Sequence, residues 1–266
     1  MLSLPQIGPS EDLLTQLQQW QDAVDAKLNY AQQVAKADGD WSLHRDKQPM
    51  RDIEVLLEQM CCGGRRCAYC EDTLAHQIEH RWPKNLYPEL VFDWLNFLYA
   101  CGSCNLKKGS RFAVYPVGGR ALLRVRRVPG APLTAPPLGE MVFIDPRSED
   151  PTQFFTIDLR GSFRIQVQKG LPARARERAQ YTLENLPLNS DPLCKQRRSA
   201  YRYYRLEVQA YIRDRERQQS QRQLKKHRLA LAEFAHQTVW FEMKRQQAKI
   251  ADLAALFAQA PEALQW

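Results

Sequence analysis

The chain has 266 residues, 44% of them hydrophobic, enough for one large domain or for a small core with substantial additions. No segment approaches the roughly 20 consecutive apolar residues that span a bilayer, and residues 1–12 lack a basic segment followed by an apolar run. We therefore expect neither a membrane span nor a signal peptide, and a cytoplasmic location is the default expectation.

Basic side chains outnumber acidic ones by 38 to 30, and the surplus is unevenly placed. Residues 1–170 carry 20 basic and 20 acidic side chains, whereas residues 171–266 carry the other 18 and 10, so all of the net charge of +8 is C-terminal. Such a surplus attracts polyanions, including nucleic acid, although a basic helical face is more often only a solvated surface.

Residues 1–60 have the periodicity of helices. Apolar residues recur at three- and four-residue steps from Leu13 to Leu28, after the helix-start sequence Ser10-Glu11-Asp12. A second helix is predicted from Met50 to Met60. Both apolar stripes are expected to be packing surfaces.

The segment from residue 117 to residue 170 is rich in proline and glycine at its start and is expected to be largely irregular. The apolar residues 141–144 predict a short strand. Residues 154–159 and 162–168 flank Arg160-Gly161 and predict a β-hairpin.

Residues 171–266 form a basic region for which long helices are predicted. Asn189-Ser190-Asp191-Pro192 is a good helix start, with a capping side chain and a proline in the first turn. Four residues at helical spacing are predicted to be a buried stripe in preference to a base-stacking surface: Tyr201, Tyr204, Val208 and Tyr211. The polar residues 213–228 are expected to project into solvent or against a partner.

Two CxxC pairs, Cys67/Cys70 and Cys101/Cys104, are separated by thirty residues. Two tight turns with this spacing can present four thiolates to one tetrahedral zinc ion, and four thiolates leave no open position for catalysis. The zinc is therefore expected to be structural and to stabilise a small module that lacks a large core. A redox CxxC is the weaker alternative, because there are two pairs and no obvious βαβ context. The remaining cysteines are predicted to be free thiols: Cys61, Cys62 and Cys194.

Three short motifs lie between and beside these pairs: residues 77–84 (QIEHRWPK), residues 94–96 (WLN) and residues 104–109 (CNLKKG). Over about forty-five residues the chain here resembles the His-Asn-His (HNH) endonucleases of the ββα-metal fold. The expected fold class is α+β and mainly helical, with a zinc-stabilised ββα-metal core at residues 61–116. N-terminal and C-terminal helical regions are expected to flank that core.

The resemblance implies a role for each motif. His80 would take a proton from the attacking water, while Glu79 and Asn105 would hold a divalent ion at the scissile phosphate. Oxygen ligands suit magnesium or manganese, whereas thiolates suit zinc. Glu79 stands where many relatives have Asp or His, and Asn105 replaces a His, which favours magnesium. Asn96 is expected to brace the loop after the histidine-bearing strand through hydrogen bonds to the backbone.

Three lysines are placed to meet phosphates, although single lysines are usually solvated: Lys84, Lys107 and Lys108. The other histidines lack comparable flanking residues and are expected at the surface or in packing: His44, His76, His227 and His236.

Looser matches extend the resemblance to the nuclease subunits of Septu-type antiphage systems, some of them encoded beside retrons. They include residues 69–71, 145–151 and 183–188, and Arg197-Arg198. The resemblance implies a nucleic-acid substrate and an ATPase partner of the ABC or SMC type, with a retron reverse transcriptase and its RNA–DNA product as a further possible association. A stand-alone restriction-like nuclease and a zinc-stabilised module that binds without cutting are the alternatives. Phosphate chemistry alone does not distinguish a DNA from an RNA target.

Overall fold

The computed structural model describes residues 1–72, 75–128 and 130–266. Within these ranges the chain is an α+β protein, about half helical, with three small antiparallel sheets. This agrees with the predicted α+β class. No helix in the described ranges has the length and apolar character needed to cross a membrane.

The N-terminal region forms three helices: α1 (Glu11–Asp25), α2 (Tyr30–His44) and α3 (Gln48–Gln59). The Ser10 side chain caps α1 by accepting from the Leu13 N–H, as the sequence predicted. The predicted apolar stripe is wrong at Leu28, which is 93% exposed. The reason is that the helix ends before Leu28. Helix α1 ends at Asp25, and the Asn29 side chain caps α2 by accepting from the Gln32 N–H.

A strand–strand–helix unit follows. Strand β1 (Ala75–His80) pairs antiparallel with β2 (Phe97–Cys101), and helix α4 (Gly102–Lys108) begins directly after β2 and packs on both strands. Every residue of β2 is buried, so this strand lies inside the core. It contacts β1, α3 and α4. The register pairs His80 with Phe97.

Two further sheets surround this unit. Strand β3 (Phe112–Pro116) lies between β4 (Leu123–Val125) and β5 (Gly139–Met141). The strand predicted at residues 141–144 is therefore displaced toward the N-terminus. Beyond Met141 only the Val142 N–H continues the pairing, with the Ala113 carbonyl at 3.0 Å, and the next two residues enter the core. The predicted hairpin is present as β6 (Phe155–Ile157) and β7 (Ile165–Val167).

The C-terminal region is helical, as predicted. Only one of its helices is long, namely α6 (Asp191–Glu216), which begins after Ser190 and has Pro192 in its first turn. The predicted tyrosine stripe is buried, with Tyr204 and Val208 fully enclosed. The other helices are α5 (Ala173–Asn185), α7 (Gln221–Glu233), α8 (Gln237–Gln246) and α9 (Ala251–Gln259).

Helix α7 folds back on α6, so the polar segment 213–228 does not project entirely into solvent as predicted. His227 is buried between two carboxylates of α6: its Nδ1 lies 2.7 Å from Glu207 Oε1 and its Nε2 lies 3.0 Å from Asp214 Oδ2. Burial lowers the pKa of His227, but the hydrogen bonds to Asp214 and Glu207 outweigh it, and the net shift is upward. The histidine therefore has a packing role in which a positive charge joins two helices.

Candidate active site and metal centre

The four cysteines of the two CxxC pairs meet in space. Cys67 and Cys70 lie in a turn closed by a 2.8 Å hydrogen bond from the Glu71 N–H to the Cys67 carbonyl. Cys101 ends β2, and Cys104 lies in the first turn of α4. The two pairs are drawn together because the Ala68 N–H donates to the Tyr99 carbonyl of β2 at 2.8 Å.

All four sulfurs are buried and lie within 4.8 Å of one another. The Cys70 and Cys101 sulfurs are 3.7 Å apart, and tetrahedral zinc with Zn–S bonds of about 2.3 Å requires S···S edges of about 3.8 Å. Hydrogen bonds among the thiols raise the pKa of Cys70 and Cys104 and lower the pKa of Cys101, and the pKa of Cys67 is also lowered. The donor set and its closed geometry fit a structural zinc ion.

His80 ends β1 with its ring held on two sides. Its Nε2 lies 3.0 Å from the Val91 carbonyl, and the rings of Trp41 and Phe97 meet it edge-on at centroid distances of 4.4 and 5.3 Å. A carbonyl can only accept, so Nε2 carries the proton and Nδ1 is the basic nitrogen. Burial lowers the pKa of His80 to about 3, so the imidazole is neutral at neutral pH.

Asn96 forms hydrogen bonds within the loop between β1 and β2, which contains Val91. Its Oδ1 accepts from the Trp82 N–H at 2.7 Å, and its Nδ2 donates to the Trp82 and Leu90 carbonyls at 3.0 and 2.8 Å. The side chain is only 1% exposed, so these three bonds replace water that it cannot reach. These bonds join Trp82 to Leu90, the residue before Val91, whose carbonyl contacts His80.

Helix α4 faces β1 through two matched pairs. Residues two apart on a strand and three apart on a helix share a face, which sets Gln77 and Glu79 opposite Asn105 and Lys108. Asn105 Nδ2 donates to Gln77 Oε1 at 2.9 Å, which leaves Asn105 Oδ1 as an acceptor. Lys108 Nζ lies 2.5 Å from Glu79 Oε1 as a buried ion pair. Burial raises the pKa of Glu79, and the nearby Lys108 opposes that shift.

The structure brings Glu79, His80 and Asn105 to one cleft of about 360 Å³. Its other walls come from α2, through Trp41, and from the loop after β1, through Lys84. A carboxylate, a neutral imidazole and an amide oxygen on one cleft can together hold a hard divalent cation and accept a proton.

The three lysines predicted to meet phosphates are placed differently. Lys108 does not fit that role, because its side chain is 1% exposed and its Nζ also donates to the His80 carbonyl at 2.7 Å. Lys107 Nζ donates to the Leu186 carbonyl at 3.2 Å. Lys84 lines the cleft and pairs with the exposed Asp38. The spacing of these lysines was visible in the sequence, but their partners on other elements were not.

Three residues of the site were given no role by the sequence. Trp41 comes from α2 and packs on His80, and Gln77 positions Asn105. Arg147 donates to the Trp94 and Phe97 carbonyls at 2.9 and 2.7 Å, and so supports the start of β2. Gln77 and Arg147 lie within two of the segments that carry the resemblance, residues 77–84 and 145–151, whereas no motif includes Trp41.

The closed four-thiol cluster and the adjacent polar cleft define the chain as a candidate zinc-binding protein with a separate site for chemistry. No protein-family model matches the chain. It is similar to the Septu protein PtuB of Bacillus thuringiensis, with 44% identity over 63 residues. That segment makes up 22% of this chain and 24% of PtuB, so the match spans about a quarter of that relative and supports a relation to it over that segment.

Proposed function

We propose that the chain is a metal-dependent HNH-type endonuclease with a ββα-metal core at residues 61–116. The observation that carries the proposal is the His80 hydrogen bond to the Val91 carbonyl, which leaves Nδ1 as a neutral base in the cleft that Glu79 and Asn105 share. The strand–strand–helix order of β1, β2 and α4 supports the fold assignment, and the four-cysteine cluster supports the zinc-stabilised subclass.

In this proposal, His80 Nδ1 removes the proton from a water molecule that attacks the phosphodiester phosphorus. Trp41 and Phe97 restrict the ring, and Val91 fixes its tautomer, so the base is oriented before substrate arrives. Glu79 and Asn105 would hold the catalytic ion, magnesium or manganese, through a carboxylate and an amide oxygen. When bound, such an ion neutralises negative charge that develops on the phosphate and the leaving oxygen.

The proposed biological setting is an antiphage defence complex. Its support is the partial similarity to Septu protein PtuB, together with the resemblance of the motifs to Septu nuclease subunits. We propose a PtuA-like ATPase as the partner, and for a retron-associated system also a reverse transcriptase with its RNA–DNA product. Isolation of the chain with the product of the adjacent gene tests this setting; a neighbour without ATPase activity would contradict it.

The enzymatic proposal is tested with His80→Ala. Loss of a general base lowers rates by about 10²- to 10⁴-fold, so cleavage of plasmid DNA or single-stranded RNA with magnesium or manganese should fall by that factor. Zinc content and the circular dichroism spectrum should stay at wild-type values. The matched control is His44→Ala, because His44 stacks on Trp20 outside the cleft. Undiminished cleavage by the His80 variant would falsify the assignment of the base.

A second candidate function is a zinc-stabilised module that binds nucleic acid without cutting it. The ion pair between Glu79 and Lys108 favours it, because a buried ammonium already neutralises the proposed ligand. The two functions differ in one measurement. A module that only binds would leave substrate intact at every concentration of magnesium or manganese, with or without its partner, whereas the nuclease would cut in a metal-dependent way.

A further inference from the structure

The charge totals for residues 1–170 and 171–266 do not show a basic segment within the first of these regions. Between Asp93 and Glu140 there is no acidic residue, yet seven basic ones occur there. Four of them line a single cleft that is separate from the one around His80: Arg111, Arg124, Arg126 and Arg127. The charge balance of residues 1–170 as a whole therefore says little about the surface beside the catalytic cleft.

The pairing of β3 with β4 explains why these arginines converge. The register sets Phe112 opposite Val125, and Arg111 and Arg126 are the residues that come directly before β3 and directly after β4 at this paired end. Arg124 and Arg126 are two apart and share a face, whereas Phe112 and Val125 point the other way and are buried. Arg111, Arg124 and Arg126 therefore line one cleft.

Few carboxylates offset this charge. Of the residues that line the arginine cleft, none is acidic. Arg124 has one distant partner, the largely exposed Glu184, at 3.6 Å. Arg126 has no hydrogen bond or ion pair with any residue in the described ranges. Arg111 donates to the Lys107 carbonyl four residues before it. Arg127 is held by the backbone carbonyls of two other segments, at Asn85 and Thr134, and is a structural residue.

The arginine cleft shares a wall with the catalytic cleft. Gly109 and Ser110 line both, with Asn105 on one side and Arg111 on the other. Gly109 ends α4 with φ of 46°, a conformation that favours glycine, and this turn leads the chain from the catalytic cleft to the arginine cleft. A polyanionic strand could therefore contact both clefts without leaving the surface.

We propose that Arg111, Arg124 and Arg126 bind the phosphate backbone of the nucleic-acid strand next to the phosphate that His80 attacks. This inference rests on the proposed nuclease function for the position of the cut, but not for binding itself. Guanidinium groups hold phosphates bidentately, and several of them on one face track a strand without reading its sequence. The arginines, and not the paired lysines 84, 107 and 108, then supply the sequence-independent affinity.

The test is a salt titration of binding in a His80→Ala background, which prevents cutting without a chelator that would strip the zinc. The probe is a fluorescein-labelled DNA hairpin with a single-stranded tail, with an RNA copy as a second arm. For Arg111→Gln/Arg124→Gln/Arg126→Gln, the slope of log K against log salt from about 50 to about 200 mM should flatten by about 2 to 3. Binding near 100 mM salt should weaken by at least about tenfold.

The matched control removes the same charge from the C-terminal helices: Arg202→Gln/Arg222→Gln/Arg228→Gln, all exposed residues. We expect its slope to stay near that of the parent. Equal flattening in both triple variants, or none in the cleft variant, would overturn the inference. Cleavage by the chain with a wild-type His80 decides the nuclease proposal separately, because either binding result is compatible with either cleavage result.

A cleft variant that loses zinc or helical signal is replaced by Arg126→Gln alone. This side chain contacts no other described residue through a hydrogen bond or ion pair, so its removal should leave the fold intact. Its slope should flatten by about 1. An unchanged slope in a folded Arg126→Gln protein also overturns the inference.

Discussion

Two buried histidines show how differently the strand–strand–helix core and the C-terminal helices use the same side chain. In the core, His80 lies between aromatic rings and a carbonyl, and its pKa falls to about 3. Between α6 and α7, His227 lies between two carboxylates, and its pKa is raised. Burial opposes the charged form at both sites, so the partner groups decide the outcome. The surroundings of His80 favour its neutral form, whereas the two carboxylates of α6 favour the protonated form of His227 on α7.

The largest effect should come from removing a sulfur of the four-cysteine cluster. Cys104→Ser should release zinc, whose binding free energy in small modules is on the order of 10 kcal/mol. Hydrogen exchange should then accelerate in β1, β2 and α4 far more than in α6 and α7. Cys62→Ser is the control, because Cys62 is an exposed thiol outside the cluster. A folded Cys104→Ser protein with full zinc content would refute the zinc site.

The next effect compares a buried with an accessible ion pair. Lys108→Met leaves the Glu79 carboxylate buried without its partner and should lower the free energy of unfolding by about 3 to 5 kcal/mol. Lys84→Met breaks the pair with the exposed Asp38 and should cost about 0 to 1 kcal/mol. Urea unfolding of both variants gives the comparison. Equal losses would mean that the Glu79–Lys108 pair is not a structural part of the core.

A smaller loss is expected from Asn96→Ala, which deprives three backbone groups of their partner. We expect a cost of about 2 to 3 kcal/mol and a cleavage rate lowered by at least about tenfold, because Val91 would no longer hold His80. The control is Asn29→Ala, which removes a surface helix cap worth about 1 kcal/mol. An Asn96 variant that loses stability but keeps its cleavage rate would show that Asn96 stabilises the loop without orienting His80.

The smallest effect is a difference in pH dependence between the two histidines. For His227, the raised pKa stabilises the fold below the unfolded value of about 6.5, and this contribution is lost as pH rises through the folded value. His80 acts in the opposite sense: its lowered pKa costs nothing above about 6.5, and stability falls as pH drops toward about 3. His227→Gln should therefore differ most from wild type near pH 6 and least near pH 9, as measured by thermal unfolding. A constant difference would mean that His227 does not titrate in the folded chain.

The sequence was most informative where the chain folds onto near neighbours. The four cysteines of two CxxC turns thirty residues apart meet as their spacing predicted, and Glu79 and His80, which are adjacent in sequence, line one cleft. Contacts between distant segments were not accessible in this way. Nothing near residue 41 indicates that its indole packs on His80, and nothing near residue 108 distinguishes a buried ammonium from a solvated one.

The arginine cleft illustrates the same limit from another side. Residues 94–139 contain no acidic residue, so the positive charge of this segment can be read from the sequence. The net charge of residues 1–170 does not show it, because the N-terminal helices are acidic. Only the pairing of β3 with β4, and the cleft beside it, show that Arg111 and Arg126 share a surface. Spacing along the chain predicts local ligands, whereas the register between strands determines which distant charges share a surface.

The wall formed by Gly109 and Ser110 has a consequence for where a strand would be cut. Gly109 and Ser110 line both clefts, so in the proposed nuclease a backbone bound by the arginines would enter the cleft of His80 at a short distance from them. The position of the cut would then depend on the distance along the strand from the phosphates bound by the arginines and not on the base sequence. Cuts would then fall at a fixed number of nucleotides from any point where the strand is prevented from sliding, whatever bases lie between.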